Sequence, residues 1–270
     1  MRAEKAGSEN MHVVSKRIMP YTNTAASLRQ CSAFLFDLYG TLVDIHTDEN
    51  RPSLWKQTAD FMLSRGAARD AEALQRAYLT IVRAEEALLR QRDKALPNAQ
   101  GEIDLTSVFA RLYAEKGVQA DHELIAETAW FFRRASTSHL RLYAGARELL
   151  DALREKGKVL LLSNAQSLFT RPELDLLELT DCFDGIYISS EAGFRKPDPR
   201  FFRLAMKREG LDAGQCLMIG NDPLCDGQGA RDAGMASYII RSALSPRGEA
   251  EGYDQAGMDL NKLRRVLCGA

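Results

Sequence analysis

From residue 145 onward, short apolar runs alternate with segments of helical spacing. The apolar runs are 158–162, 186–188, 216–219 and 237–240. Helices are predicted before, between and after them, over 145–156, 172–179, from 199, over 226–233 and around 260–267. Such alternation indicates right-handed βαβ crossovers. The pattern predicts an α/β fold with a doubly wound, parallel, Rossmann-like sheet.

The long segment between Asp44 and residue 145 has helical spacing and no convincing strand. Apolar positions recur at helical intervals in four stretches, which contain Leu54, Leu74, Val108 and Leu124. Glycine and proline breaks separate the stretches at Gly66, 97–101 and Gly117. We therefore predict an all-helical cap, inserted into the sheet domain and lying over its active edge as a lid.

These patterns divide the chain into three parts. Residues 1–30 mix basic residues with Gly, Ser, Asn and Thr, and they lack the continuous apolar stretch of a secretory signal. We predict a flexible lead over 1–30, a Rossmann-like core over 31–47 and 141–270, and a helical cap over 48–140.

Composition narrows the class of partner. Lys plus Arg number 36 and Asp plus Glu number 37, so no overall basic field is present to collect nucleic acid or acidic lipid. No apolar run approaches the roughly 20 residues that span a bilayer. Five widely spaced cysteines, with no Cys-x-x-Cys pair, indicate reduced thiols. We expect a cytoplasmic protein, monomeric or homodimeric, that acts on a small molecule and binds neither nucleic acid nor membrane.

The apolar run 34–36 leads directly into Asp37, which is followed by Gly40 and Thr41. A buried strand followed by a glycine turn leaves Asp37 at the carboxyl end of the strand, where open α/β sheets bind ligands. A carboxylate in this position can accept a phosphoryl group as an acyl phosphate. Asp37 is the candidate nucleophile.

Three later segments carry further polar side chains to the same edge. They are Ser163 with Asn164, Lys196 before a helix, and Asn221, Asp222 and Asp226 around the end of run 216–219. Each segment alone is more often a turn or a helix cap. Together with Asp37, they place a carboxylate, a hydroxyl, an ammonium and further carboxylates along the chain in that order. This combination predicts one site at one edge of the sheet.

With these four motifs, the chain resembles the haloacid dehalogenase-like hydrolases from about Cys31 to about Ile240. The family's first motif is Asp-x-Asp-Gly-Thr, and here it reads Asp37-Leu38-Tyr39-Gly40-Thr41. The resemblance implies catalysis by Asp37, Ser163 and Lys196, and phosphate binding by Gly40, Thr41, Ser163, Asn164 and Lys196. It also implies Mg²⁺ held by Asp37, the Tyr39 carbonyl, Asn221, Asp222 and Asp226.

Tyr39 replaces the second acid of this motif, which in the family's phosphatases protonates the leaving oxygen and then activates water. A phenol, with an ordinary pKa of about 10, is a poor substitute. We predict a magnesium-dependent phosphohydrolase of a small phosphorylated metabolite, slow on ordinary sugar phosphates and favouring good leaving groups. The alternatives are a 2-haloacid dehalogenase, which also has tyrosine here, and a weakly active phosphate-binding or regulatory module.

The sequence of the predicted cap does not name a substrate. Its arginines could meet anionic groups, but a solvated helix face explains them equally well. The arginines considered are Arg83, Arg90, Arg92, Arg133 and Arg134.

Overall fold

A computed structural model of the chain describes residues 24–96, 99–247 and 251–269. The strands are β1 Ala33–Phe36, β2 Val43–Thr47, β3 Thr137–Leu142, β4 Lys158–Ser163, β5 Gly185–Ile188, β6 Cys216–Gly220 and β7 Ala236–Ile239. The α-helices are α1 Ala25–Leu28, α2 Pro52–Ser64, α3 Ala71–Asp93, α4 Leu105–Ala114, α5 His122–Ser136, α6 Ala146–Arg154, α7 Ser167–Leu176, α8 Ser189–Ala192, α9 Pro199–Glu209, α10 Gly229–Asp232 and α11 Leu260–Cys268.

Five strands form one parallel sheet in the order β5-β4-β1-β6-β7. Its central strand, β1, is fully buried, because Phe34 and Phe36 pack into the apolar layer on one face and Leu35 into that on the other. The sequence order of the strands reverses at β1, so the edge beyond its carboxyl end is a ligand-binding position. The predicted Rossmann-like fold is confirmed.

Two helices of the core begin earlier than predicted. Helix α7 starts at Ser167, because Pro172 is accommodated inside the helix rather than at its first turn. The helix expected from residue 226 begins at Pro223, where a π-helical segment, Pro223–Gln228, precedes α10. The early start matters because Asp226 thereby lies inside a helical turn and faces the end of β6.

The four helices predicted for the insertion are α2 to α5. They share an apolar core in which Trp55, Tyr78, Phe109 and Phe132 contact one another with ring centroids 5.3–6.1 Å apart. Phe169 of α7 joins this cluster. The core domain thus contributes a side chain to the packing of the insertion.

The expectation that the segment between Asp44 and residue 145 contains no strand is wrong. Strands β2 and β3 pair antiparallel in a separate ribbon, with Val43 opposite Leu142 and His46 opposite His139. This ribbon, residues 43–47 and 137–142, carries the chain into and out of the helical insertion. Part of the predicted cap, residues 137–140, is therefore extended rather than helical.

The predicted lead ends earlier than residue 30. Residues 25–28 form one helical turn whose Leu28 is 2% exposed, and the Nε of Arg29 donates a hydrogen bond of 2.8 Å to the carbonyl of Val266. Residues 1–23 lie outside the described residues. In the described ranges, no helix combines the length and apolar character that crossing a bilayer requires.

Candidate active site

Asp37 follows β1 directly, and its backbone N–H continues the sheet by donating to the carbonyl of Ile219 at 2.9 Å. The chain then turns through Gly40, which has a φ of +84°. A Cβ at this position would lie 2.2 Å from Nδ2 of Asn221. Glycine is required here both by the left-handed conformation and by the approach of Asn221.

Lys196 bridges two carboxylates. Its Nζ lies 2.8 Å from Oδ1 of Asp37 and 2.7 Å from Oδ1 of Asp226, and its side chain is 2% exposed. Burial opposes the charged ammonium, but the charges of Asp226 and Asp37 outweigh it and hold the pKa of Lys196 above its ordinary value. Lys196 is therefore a fixed cation beside the candidate nucleophile.

Asp226 is held against the end of β6 by main-chain donors. Its Oδ2 accepts hydrogen bonds of 3.0 Å from the N–H groups of Asn221 and Asp222. Gly220 makes room for it, because a Cβ there would lie 2.1 Å from the same oxygen. Burial raises the pKa of Asp226, and Lys196 opposes this rise.

Asn164 fixes the segment that carries Lys196. The amide of Asn164 donates to the Lys196 carbonyl at 2.9 Å and accepts from the Lys196 N–H at 2.8 Å. The neighbouring Ser163 is fully buried, and within the described ranges its hydroxyl has no hydrogen-bond partner. A buried hydroxyl without a partner costs free energy, which a bound acceptor would recover.

Asp222 caps the π-helical segment. Its Oδ1 accepts from the N–H groups of Leu224 and Cys225 at 2.8 and 2.9 Å. Asn221 points toward the turn after β1, where Thr41 Oγ1 lies 3.5 Å from both Asn221 Oδ1 and Asp37 Oδ2. Thr41 thus links the two sides of the site.

Most of the predicted residues line one cavity of about 210 Å³. It is lined by Asp37, Tyr39, Asn164, Lys196, Asn221, Asp222 and Asp226, together with Cys225, Leu244 and Pro246. Gly40, Thr41 and Ser163 are not among the residues that line it. We refer to it as the nucleophile cavity.

The phenol of Tyr39 is engaged by two side chains of α7. Its hydroxyl donates to Oε2 of Glu173 and lies 3.1 Å from Oγ1 of Thr170, both on α7. Burial first, and then the charge of Glu173, hold the pKa of Tyr39 well above its ordinary value. The phenol therefore remains protonated with its proton committed to Glu173.

Arg133 of α5 completes this buried group. Its Nε and Nη2 donate to Glu173 at 2.6 and 3.3 Å, and its guanidinium lies over the rings of Tyr39 and Phe169. The Glu173 side chain is 2% exposed. An ion pair thus connects the helical insertion to the core beside Tyr39.

A second cavity, of about 540 Å³, adjoins the first. The two share Tyr39, Asn164 and Leu244, and the second is also lined by His46, Glu49, Tyr78, Arg133, Gln166 and Thr170, among others. This cavity lies between the insertion and the core. We call it the leaving-group cavity, after the part of the substrate that we propose it receives.

Sequence reasoning missed Glu49 and Glu173 and left Arg133 among five undifferentiated arginines. A signal for Glu173 did exist, because it lies four residues after Phe169 and next to Leu174, on the buried face of α7. A carboxylate on an apolar helix face requires a partner. No comparable pattern marks Glu49.

The donor set fits an open magnesium site rather than a closed cage. Within the described residues, no group of three or more His, Cys, Asp or Glu side chains is arranged to hold a metal ion. Mg²⁺, however, keeps several waters and uses only one or two carboxylates. Asp37 and Asp222, with the amide oxygen of Asn221, line the nucleophile cavity and supply oxygen donors of that kind.

A family model described as haloacid dehalogenase-like hydrolase matches residues 31–234. Among characterised proteins, the phosphoserine phosphatase of Thermus thermophilus is 33% identical over 123 residues, which are 45% of this chain and 49% of that enzyme. The chain spans about half the length of the curated relatives it matches.

Two solved structures share the fold. A 2-haloacid dehalogenase from Pseudomonas syringae pv. Tomato superposes with a TM-score of 0.59 at 20% identity, covering 88% of this chain and 99% of that one. A HAD phosphatase from Thermococcus onnurineus superposes with a TM-score of 0.57 at 20% identity, covering 88% and 98%. At this identity, the likeness concerns the fold alone.

Proposed function

Since the chain belongs to the haloacid dehalogenase-like hydrolases, we propose that it is a magnesium-dependent phosphohydrolase of a small phosphorylated metabolite. The observation that carries the proposal is the position of Lys196, 2.8 Å from Asp37, at the wall of a polar cavity. Its curated relatives include phosphatases. A buried ammonium beside a carboxylate can neutralise an arriving phosphoryl group and orient it for attack.

In the proposed reaction, Asp37 attacks the phosphorus of the substrate. Its Oδ1 is held by Lys196, so Oδ2, which lies 3.5 Å from the Thr41 hydroxyl, is the oxygen that attacks. A bond forms between Oδ2 and phosphorus, the bond from phosphorus to the leaving oxygen breaks, and that oxygen keeps the electron pair. Water then cleaves the aspartyl phosphate, which releases inorganic phosphate and regenerates the Asp37 carboxylate.

The other residues of the site hold the phosphoryl group. The unpartnered hydroxyl of Ser163 would donate to one of its oxygens, and Asn164 keeps Lys196 in register. Magnesium, held by Asp37, the Tyr39 carbonyl, Asn221 and Asp222, would supply further charge neutralisation. Asp226 completes the set by anchoring Lys196.

Tyr39 restricts the leaving groups. Because its proton is committed to Glu173, the leaving oxygen receives no proton from this side chain. Substrates whose leaving group is stable as an anion, such as acyl phosphates, would react fastest, and simple alkyl phosphates slowly.

The test is release of phosphate from acetyl phosphate by the full-length chain, with Mg²⁺ and with a chelator. Asp37→Asn is the inactive control. Magnesium-dependent release that disappears in the variant supports the proposal. Absence of release with Mg²⁺ overturns it and leaves the dehalogenase and binding-module hypotheses, which chloride release from 2-chloropropionate then separates.

A further inference from the structure

The leaving-group cavity contains one charged group whose charge is not balanced. Arg133 is the cation on its wall, but two hydrogen bonds to Glu173 occupy that cation. Glu49 is the anion that lines this cavity, and within the described ranges its carboxylate has no hydrogen bond and no ion pair. We propose that Glu49 recognises an ammonium group on the substrate, so that the substrate is the phosphate ester of an amino alcohol or amino sugar. This inference rests on the proposed phosphohydrolase function.

The surroundings of Glu49 support this role. It follows β2 and precedes α2, and its main-chain carbonyl accepts a hydrogen bond of 2.8 Å from the indole of Trp55, which fixes the backbone. Burial raises the pKa of the Glu49 carboxyl despite the nearby charge of Arg133. Tyr78 lines the same cavity, and its pKa is raised by burial and by the charge of Glu49.

Charge balance selects among ligands. With Arg133 paired to Glu173, a second phosphate or a carboxylate on the substrate would meet the unpaired charge of Glu49 and be repelled. An ammonium would instead form a charge-assisted hydrogen bond with it, in a cavity that is partly shielded from water. The nucleophile and leaving-group cavities adjoin, since Tyr39, Asn164 and Leu244 line both of them. The inference therefore places the phosphoryl group of one substrate in the first cavity and its ammonium group in the second.

The test compares probes that differ only in ammonium against hydroxyl. The pairs are 2-aminoethyl against 2-hydroxyethyl phosphate, and glucosamine 6-phosphate against glucose 6-phosphate. Binding to full-length Asp37→Asn is measured by calorimetry, because this variant binds without turnover. We expect the ammonium member of at least one pair to bind about tenfold more tightly. If the two members of each pair bind equally, the inference is overturned without any measurement on a further variant.

Glu49→Gln in the same background assigns the preference. The substitution keeps the shape of the side chain and the bond from Trp55, and we expect it to reduce the tenfold preference to near unity. Glu127→Gln is the matched control, because Glu127 is a carboxylate of the insertion that pairs with Arg65 at the surface, 3.1 Å away. A preference that survives in Glu49→Gln overturns the assignment.

Acetyl phosphate separates the two proposals, because its leaving group carries no ammonium. If the native chain hydrolyses acetyl phosphate but no ammonium preference is found, the proposed phosphohydrolase function stands and the proposed role of Glu49 is overturned. If the native chain does not hydrolyse acetyl phosphate, the proposed phosphohydrolase function is overturned. The binding measurement then still decides whether Glu49 selects ammonium ligands.

Discussion

The phenolic O–H of Tyr39 donates a hydrogen bond to Glu173, a residue that lines neither the nucleophile cavity nor the leaving-group cavity. The hydroxyl of Tyr39 is thus occupied by α7, although the residue lines both cavities. This relationship gives the first prediction a structural basis.

Tyr39→Asp is expected to raise the rate of alkyl phosphate hydrolysis by about 100-fold, because a carboxyl group can protonate the leaving oxygen. Steady-state release of phosphate from glycerol phosphate measures the effect. Tyr39→Phe is the control and should bring no gain, since it only removes the hydroxyl. A folded Tyr39→Asp protein no faster than the native chain contradicts the roles assigned here.

Arg133→Met is expected to lower the free energy of unfolding by about 3–5 kcal/mol, because Glu173 is left charged and buried. Chemical denaturation followed by circular dichroism gives the value. Arg134→Met, at the exposed neighbouring position, should change stability by less than about 0.5 kcal/mol. The double variant with Glu173→Gln should recover most of the loss, and a single-variant loss below about 1 kcal/mol would refute the assigned pairing.

Gly40→Ala tests the close packing of the turn after Asp37. Gly40 and Gly117 have similar positive φ values, +84° and +73°, but only Gly40 would place a Cβ against Asn221. Gly117→Ala should cost about 1 kcal/mol from its backbone conformation alone. Gly40→Ala should cost clearly more and lower the rate of phosphate release, and equal unfolding midpoints for the two variants would argue against this packing.

The ribbon provides a pH-dependent test. Hydrogen bonds from Arg141 hold the pKa of Asp44 below its ordinary value. A carboxyl group with a lowered folded-state pKa stabilises the fold above its unfolded pKa, and this stability is lost as the pH falls through the folded value. Asp44→Asn should therefore lower the free energy of unfolding by less than about 1 kcal/mol at pH 7, measured by urea denaturation, and leave it unchanged near pH 2. A deficit of equal size at both pH values would contradict the ion-pair explanation.

The parallel sheet was predictable because its strands are buried on both faces and appear as continuous apolar runs. The residues that follow these runs, Asp37 and Asn221, could be placed at one edge for the same reason. The ribbon was missed because four of the six residues of β3 are polar and its side chains are half-buried or exposed. Only Leu140 and Leu142 of β3 pack against the core of the sheet domain, and both are half-buried, so the strand has too few apolar positions to be recognised.

The contacts around Tyr39 could not be read from the sequence. Glu173 lies 134 residues from Tyr39 and 40 residues from Arg133. Their meeting depends on how α5 of the insertion docks on α7 of the core, and neither helix alone encodes that docking. The same reason hid Glu49, whose proposed role depends on a cavity lined by residues of both the insertion and the core.

The pairing of Val43 with Leu142 means that the chain leaves and re-enters the sheet domain at one point. Everything between residues 48 and 136 is therefore a cassette attached through two adjacent strands. A short hairpin loop joining Thr47 to Thr137 would close the sheet domain without bridging any gap, and another insertion could occupy the same junction. If the proposed function is correct, exchanging the cassette would change the residues that the insertion contributes to the leaving-group cavity and leave Asp37 and Lys196 in place.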